Sequence, residues 1–315
     1  MTTSEDATIA RIAGAFPSLG ALTHAVLARW PEHLPYLRRS LGAHPDGVLV
    51  EIDRAAAQIL RLIGAETATF VDHYRWMCDV FNKETLHFLR TGAYRCATFA
   101  EADANVYSNR PFMEKYMNGL LVSQALWSNH AAALVGYTRT FMPMVKDGAE
   151  YLEIGPGHGL FLARAAEDPR IASVTAWDVS AESLRQTGEA LARLGVRRPV
   201  DLQQRDVMRA GGAQQYDAIV ISEVLEHLEQ PQAALRALVT HLRPRGRIFV
   251  NVPINSPAPD HIYLLRTPEE AAELVRGAGL EILTQSDEPM SGYTLAEAQA
   301  ARGTVSCLFV AQPLA

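Results

Sequence analysis

Two regimes of hydrophobic patterning meet near residue 145. Before it, apolar positions recur at helical spacing and strand signals are almost absent. Ile9, Ile12, Ala13 and Phe16 form one stripe, and Pro17-Ser18-Leu19-Gly20 is expected to end it. Short helices are predicted over Ala21 to Trp30 and, opened by Pro31, through Leu41. Val48 to Ile63 repeats at i, i+3, i+4 and i+7 and closes at Gly64. Thr67 to Leu89 reads as a long, aromatic-rich helix and Tyr94 to Ser108 as irregular chain. Ser108 or Asn109 is the expected cap of the next helix, with Pro111 in its first turn. Phe112 to about Met144 reads as one or two helices joined near Ser128-Asn129.

From Tyr151 the pattern becomes short apolar runs alternating with helical segments. Tyr151-Leu152-Glu153-Ile154 is a buried strand, stopped by Gly155-Pro156-Gly157-His158-Gly159 before a helix from Leu160. Further strands are predicted at Val174 to Asp178, Val200 to Val207, Tyr216 to Ile221 and Arg247 to Val252. Helices lie between them over Ala181 to Leu194 and from Pro231. Thr267-Pro268-Glu269-Glu270 combines a cap, a proline and first-turn acids, a strong helix start. Leu280 to Thr284 and Val305 to Val310 fit a terminal hairpin, with a helical turn over Leu295 to Ala300. The alternation argues a doubly wound α/β sheet over residues 146–315, preceded by an all-α domain over residues 1–145.

Composition changes this little but excludes much. The 315 residues are 48% hydrophobic and 20% charged, ample for a large core. A formal charge of −6, with no long Lys/Arg run, argues against nucleic acid as a partner. Cys78, Cys96 and Cys307 are far apart and match neither a zinc spacing nor a disulfide framework. No apolar run reaches the length of a membrane span, and MTTSEDATIARIAGAF lacks a basic signal-peptide start. A soluble cytoplasmic protein with no membrane partner is expected.

A strand that ends in glycines and opens a helix cradles ligands, because the backbone can approach and helix N–H groups are unpaired. The spacing here is G-x-G-x-G rather than the G-x-G-x-x-G of dinucleotide binders. A turn without any ligand is the alternative. Asp178 lies about twenty residues on, where nucleotide-binding α/β folds place a ribose-binding acid.

The motifs EIGPGHG, AWDVS, RDV, YDAIVISEVLEHL and RPRGRIFVNVP, taken in order, resemble the class I S-adenosylmethionine (SAM)-dependent methyltransferases. The subgroup is similar to bacterial small-molecule enzymes related to the O-methyltransferases of ubiquinone biosynthesis; the helical first half departs from them. The resemblance implies a Rossmann-like sheet of seven strands with a final antiparallel strand. It further implies SAM as cofactor, S-adenosylhomocysteine as product, and cofactor contacts at Glu153, Gly155, Gly157, Gly159, Asp178, Val179, Asp206, Val207, Ser222 and Glu223.

Candidate chemistry clusters after the fourth and fifth strands. If Glu223 to His227 is a turn of helix, Glu223, Glu226 and His227 share a side, suiting a divalent metal that His261 could complete. E-x-x-E-H also resembles the metal-binding element of small-RNA 2′-O-methyltransferases. The bland alternative leaves Glu226 solvated and packs His227 at a helix end. His261, on a Pro-rich loop at the sheet's carboxyl edge, is the candidate base, with Glu223 as a second catalytic group. His158 reads as an exposed turn residue. Tyr107, Tyr116, Trp127 and His130 are candidates for the substrate wall, with His261, although most aromatics at helical spacing are core. The expected activity is SAM-dependent methylation of an O or N centre of a small molecule in secondary metabolism, with a homodimer formed through the helical half. A carrier-tethered substrate and a non-catalytic SAM-fold scaffold are the alternatives.

Overall fold

The computed structural model describes residues 6–209 and 214–314. The outermost residues of the two expected domains, 1–5 and 315, lie outside them. Among the described residues, eight α-helices precede the sheet: α1 (Ala7–Ala15), α2 (Pro17–Arg29), α3 (Leu34–Gly42), α4 (Asp46–Ile63), α5 (Thr67–Thr91), α6 (Phe99–Ala102), α7 (Arg110–Leu126) and α8 (Ser128–Gly136). α1 ends before Pro17, as expected, but Pro17 also opens α2 at once, ahead of the expected start at Ala21, because a helix's first residue needs no N–H partner. The stretch expected to be irregular contains α6, whose Thr98/Glu101 capping box is a T-x-x-E signal, followed by a π turn, Asp103–Tyr107. Asn109 caps α7 by accepting from the Phe112 N–H. Trp127, in extended conformation, breaks α7 from α8, one residue before the expected joint. A Cβ on Gly119 would lie 2.7 Å from the Met77 Cβ, so glycine there lets α7 seat closely on α5.

The strands are β1 (Ala149–Ile154), β2 (Ile171–Asp178), β3 (Asp201–Gln204), β4 (Tyr216–Ser222), β5 (Leu242–Ile254), β6 (Leu280–Pro289) and β7 (Val305–Pro313). Between them lie α9 (Leu160–Glu167), α10 (Ala181–Leu194), α11 (Pro231–Thr240), α12 (Pro268–Arg276) and α13 (Leu295–Ala301). The third strand is half the expected length and stands at the sheet's edge, where one neighbour supports it. Thr267 caps α12 through the Glu270 N–H, and Pro268 opens it, as its sequence predicts.

The strands run in the order β3-β2-β1-β4-β5-β7-β6. β1 to β5 pair in parallel, and β7 is antiparallel to both β5 and β6. This is the Rossmann-like seven-stranded sheet the motifs imply. Chain order reverses between β1 and β4, and ligands of open α/β sheets bind at such a switch point, beyond the strands' carboxyl ends. One face of the sheet, through Tyr151, Ala176 and Phe249, joins a single buried cluster with Ile52, Leu126 and Phe141 of the helical layer. The other face packs under α11 and α12.

Candidate active site

Sequence and packing shape the turn after β1. Gly155, Gly157 and Gly159 all have positive φ, of 64°, 51° and 71°, a region L side chains rarely adopt. A Cβ on Gly155 would come within 2.7 Å of the Val224 Cγ2, whereas one on Gly157 would project into open space. The Thr187 hydroxyl, from α10, donates to the Gly157 carbonyl at 2.7 Å and fixes the turn. His158 is half-buried instead of exposed: burial pushes its imidazole down to about 4, and it bonds the Met117 backbone of α7. The helical layer thus reaches the glycine turn itself.

Asp178 ends β2 half-buried, and burial raises its carboxyl. It accepts from the Ser180 N–H and from the Ser183 hydroxyl, both at 2.8 Å, which orients it while leaving further lone pairs for a ligand. Val179 beside it is exposed. Beyond β3, Asp206 is half-buried and accepts from the Met208 N–H, and Val207 is buried. Glu153, within β1, is 4% exposed and accepts from the Tyr151 hydroxyl; burial raises it to about 8. Ser222, at the end of β4, accepts from the Asn251 amide.

A cavity of about 300 Å³ lies between the strand ends and the helical layer. Glu223, Glu226, His227 and His261 line it from the sheet side; Tyr116, Trp127 and His130 line it from α7 and α8. Val224, next to Glu223, packs its side chain against Gly155 of the glycine turn. Tyr107 does not line the cavity but stands behind His227.

The local backbone differs from the helical turn expected at Glu223 to His227. Glu223 has φ 53°, and only Leu225–His227 is helical, of the 3-10 kind. Glu223 therefore leaves the shared helical side and faces the cavity from a left-handed position, strain of the sort found at functional sites. Burial raises its carboxyl to about 7.

The remaining three groups do converge. Ligand atoms of Glu226, His227 and His261 lie within 4.8 Å of one another. The Glu226 Oε1 is 3.7 Å from the His227 Nε2 and 3.9 Å from the His261 Nε2. Glu226 is 1% exposed, not solvated, and neither of its oxygens has a hydrogen-bond partner. Burial and the neighbouring Glu223 charge raise its carboxyl well above the usual range. Partners assign both imidazoles. The His261 Nδ1 donates to the Ser256 carbonyl at 2.7 Å, and the His227 Nδ1 faces the Asp260 carbonyl at 3.2 Å. In their neutral forms both rings turn an Nε2 lone pair toward Glu226. Burial pushes His261 down to about 4, so it is neutral at pH 7.

Sequence reading missed Asp260. It is 4% exposed, and its oxygens accept from the Tyr116 hydroxyl at 2.8 Å and the Tyr107 hydroxyl at 3.2 Å. Both phenols are raised by burial and by the Asp260 charge. His130 is buried, pushed down to about 4, with its Nδ1 at 2.9 Å from the Ser123 hydroxyl. Phe81 is a second omission: it packs on Tyr116 and Trp127 at the cavity wall. Asp260 adjoins His261 in sequence, the one signal that pointed to it; nothing local marks Phe81.

Residues 152–248 match the family model of a methyltransferase domain. A ubiquinone biosynthesis O-methyltransferase of Xanthomonas axonopodis pv. citri (strain 306) is 29% identical, over 43% of this chain and 64% of that protein. A trans-aconitate 2-methyltransferase of Azoarcus sp. (strain BH72) is 31% identical, over 42% of this chain and 50% of its own length. The chain thus spans less than two thirds of these relatives. The SAM-dependent methyltransferase SibL, in its apo form, shares the fold: TM-score 0.54 at 14% identity, over 79% of this chain and 74% of SibL.

Proposed function

We propose that this chain, which carries a class I SAM-dependent methyltransferase domain, transfers a methyl group to a hydroxyl oxygen of a small molecule held in the cavity. Residues 1–145 act as a lid and acceptor wall over a SAM-binding domain of residues 146–315. The observation that favours a hydroxyl oxygen is the meeting at the cavity of the Glu226 carboxyl and the Nε2 atoms of His227 and His261, a set suited to a divalent ion that would acidify a hydroxyl.

The residues at the switch point fit SAM. A cradle of left-handed glycines leaves open space at Gly157, and Asp178 is oriented with lone pairs to spare for two ribose hydroxyls. When bound, SAM supplies a methyl group activated on a sulfonium. The donor set of Glu226, His227 and His261 fits a divalent ion such as Zn²⁺ or Mn²⁺, with each imidazole's Nδ1 turned to a backbone carbonyl. Such an ion would acidify a nearby hydroxyl.

The chain's own residues do the rest. Glu223, held near 7 beside the glycine turn, accepts the acceptor's proton. The new C–O bond forms as the methyl–sulfur bond breaks in line with it, and S-adenosylhomocysteine leaves. The aromatic wall aligns the acceptor and excludes water. His261 serves this reaction better as a ligand than as a base, because a group that titrates near 4 is a weak base at pH 7.

Calorimetry with SAM and S-adenosylhomocysteine tests the first half of this reading; a folded protein that binds neither refutes it. Methyl transfer to hydroxylated and amine acceptors, with chelator and with Mn²⁺ or Zn²⁺ restored, tests the second. The N–H donors of a protonated amine would satisfy the same three acceptors. Transfer to an amine at full rate in chelator would establish an N-methyltransferase instead.

A further inference from the structure

The cavity is larger than one ring requires. An apolar cavity of about 150 Å³ takes up a benzene molecule, and this one has about 300 Å³. Its far end is built by Trp30, His33 and Tyr36, which run from the end of α2 into the first turn of α3. Trp127 divides the two ends. Its indole N–H donates to the Tyr74 hydroxyl at 3.1 Å, and that hydroxyl lies 2.9 Å from the His33 Nε2. Its ring also lies 5.0 Å from that of His130, which acts electrostatically on His261. The cluster of Glu226, His227 and His261 is thus on the His130 side of Trp127, and the far end is on the Tyr74 side.

The rings of the far end are stacked on one another. His33 is sandwiched between Trp30 and Tyr36, nearly parallel to both, with centroids 3.9 and 4.7 Å away. The Arg75 guanidinium lies over the Trp30 ring at 5.5 Å, and Tyr74 meets both Trp30 and His33 edge-on. With their faces covered in this way, Trp30 and His33 reach the cavity through ring edges. Edges carry the positive part of an aromatic ring's quadrupole and faces the negative part, so a wall of edges favours the electron-rich face of a further ring. A saturated group gains burial there without this complementarity.

Resting on the methyltransferase reading for the hydroxyl that meets the cluster, we propose that the far end is a second binding subsite, for a planar, electron-rich ring of the acceptor remote from the methylated oxygen. The acceptor is then a molecule of two ring-sized parts. One carries the reacting hydroxyl between Trp127 and the cluster; the other lies beyond Trp127, its face on the edges of Trp30 and His33.

Four probes decide this: benzyl alcohol, 4-phenylbenzyl alcohol, 4-cyclohexylbenzyl alcohol and 4-(pentafluorophenyl)benzyl alcohol. They share a hydroxyl and a first ring; the second part is absent, aromatic, saturated, or aromatic with an electron-poor face. Binding to the full chain is read by calorimetry, with and without S-adenosylhomocysteine. 4-Phenylbenzyl alcohol should bind about tenfold or more tighter than benzyl alcohol, and roughly threefold or more tighter than the cyclohexyl and pentafluorophenyl probes. Trp30→Leu should remove these preferences and leave the affinity for benzyl alcohol as in wild type. A density map of the wild-type protein with 4-phenylbenzyl alcohol should show the second ring against Trp30 and His33, and this arm needs no variant to fold. Equal binding of the one-ring and two-ring alcohols overturns the proposal, as does equal binding of the phenyl, cyclohexyl and pentafluorophenyl probes. A second ring found elsewhere, a folded Trp30→Leu variant that keeps the preferences, or failure of all four probes to bind overturns it too. Because these affinities are also measured without cofactor, failure to bind SAM would refute the methyltransferase reading separately and leave the subsite decided on its own.

Discussion

Replacing Glu226 by glutamine separates a ligand from a structural carboxyl, because the two roles move stability in opposite directions. In the metal-free protein the carboxyl is 1% exposed, with both oxygens unpartnered and two imidazole nitrogens within 4 Å. Its proton affinity is raised in the folded state. Stability is therefore full below the unfolded carboxyl's pKa, about 4.3, and falls as pH rises from there through the folded value. An amide of the same shape cannot ionise, and its NH₂ can donate to an imidazole Nε2. A buried unsatisfied acceptor costs about 1–3 kcal/mol, more when charged. In chelator at pH 8, Glu226→Gln should thus melt roughly 2–6 °C above wild type, with the gap closing toward pH 5. With Mn²⁺ or Zn²⁺ at about a hundred times its Kd, wild type should gain about 2.7 kcal/mol and the variant far less, reversing the order. Differential scanning calorimetry in the two buffers reads both arms. A variant that melts lower than wild type in chelator, and by the same margin in metal, would show that the carboxyl holds the fold and is no ligand.

Asp178→Ala should weaken S-adenosylhomocysteine binding by roughly 10–100-fold in calorimetry, since two hydroxyl donors would lose a charged acceptor. Glu223→Gln should slow turnover by about 10²–10⁴-fold. The wild-type rate should rise with pH through about 7, as the raised Glu223 carboxyl loses its proton, and the variant should lack that rise. Tyr116→Phe removes a 2.8 Å bond to a buried carboxylate and should cost about 1–3 kcal/mol in urea unfolding.

The legible parts of this chain are those fixed locally. Hydrophobic period, the glycine run and the Thr267-Pro268 start place strands and helices because each depends on a few neighbouring residues. Asp178 is legible because it ends a strand at a set distance from the glycines. What escapes is set by distant partners. The left-handed Glu223 follows from a chain that must turn where Val224 meets Gly155, and no adjacent glycine announces it. Phe81 lies on a helix where one aromatic looks like another; only the packing of α5 on α7 brings it to the cavity wall. Pro17 marks the end of the first helix as expected, but the same residue also begins α2, a start that the apolar pattern alone puts at Ala21.

Asp260 shows why the helical layer belongs to the site and not only beside it. The loop after β5 carries His261 and the carbonyl that His227 faces, so the loop's position sets the aim of two cluster nitrogens. Its backbone is tied to the turn after β4, where the Ile262 and Tyr263 N–H groups both donate to the Glu226 carbonyl. Side-chain restraints come from Thr304, whose hydroxyl donates to the Asn255 carbonyl, and in larger part from the helical layer. Tyr107 and Tyr116 each donate to Asp260, the Cys96 thiol reaches the Pro259 carbonyl, and the Tyr94 hydroxyl accepts from the Ser256 N–H. Tyr107 is therefore behind His227 for a reason. It is not a substrate wall residue but a strut, whose hydroxyl meets both Asp260 and the His227 Nδ1. The sheet supplies the acceptor cluster, and helices before it in sequence hold that cluster in aim.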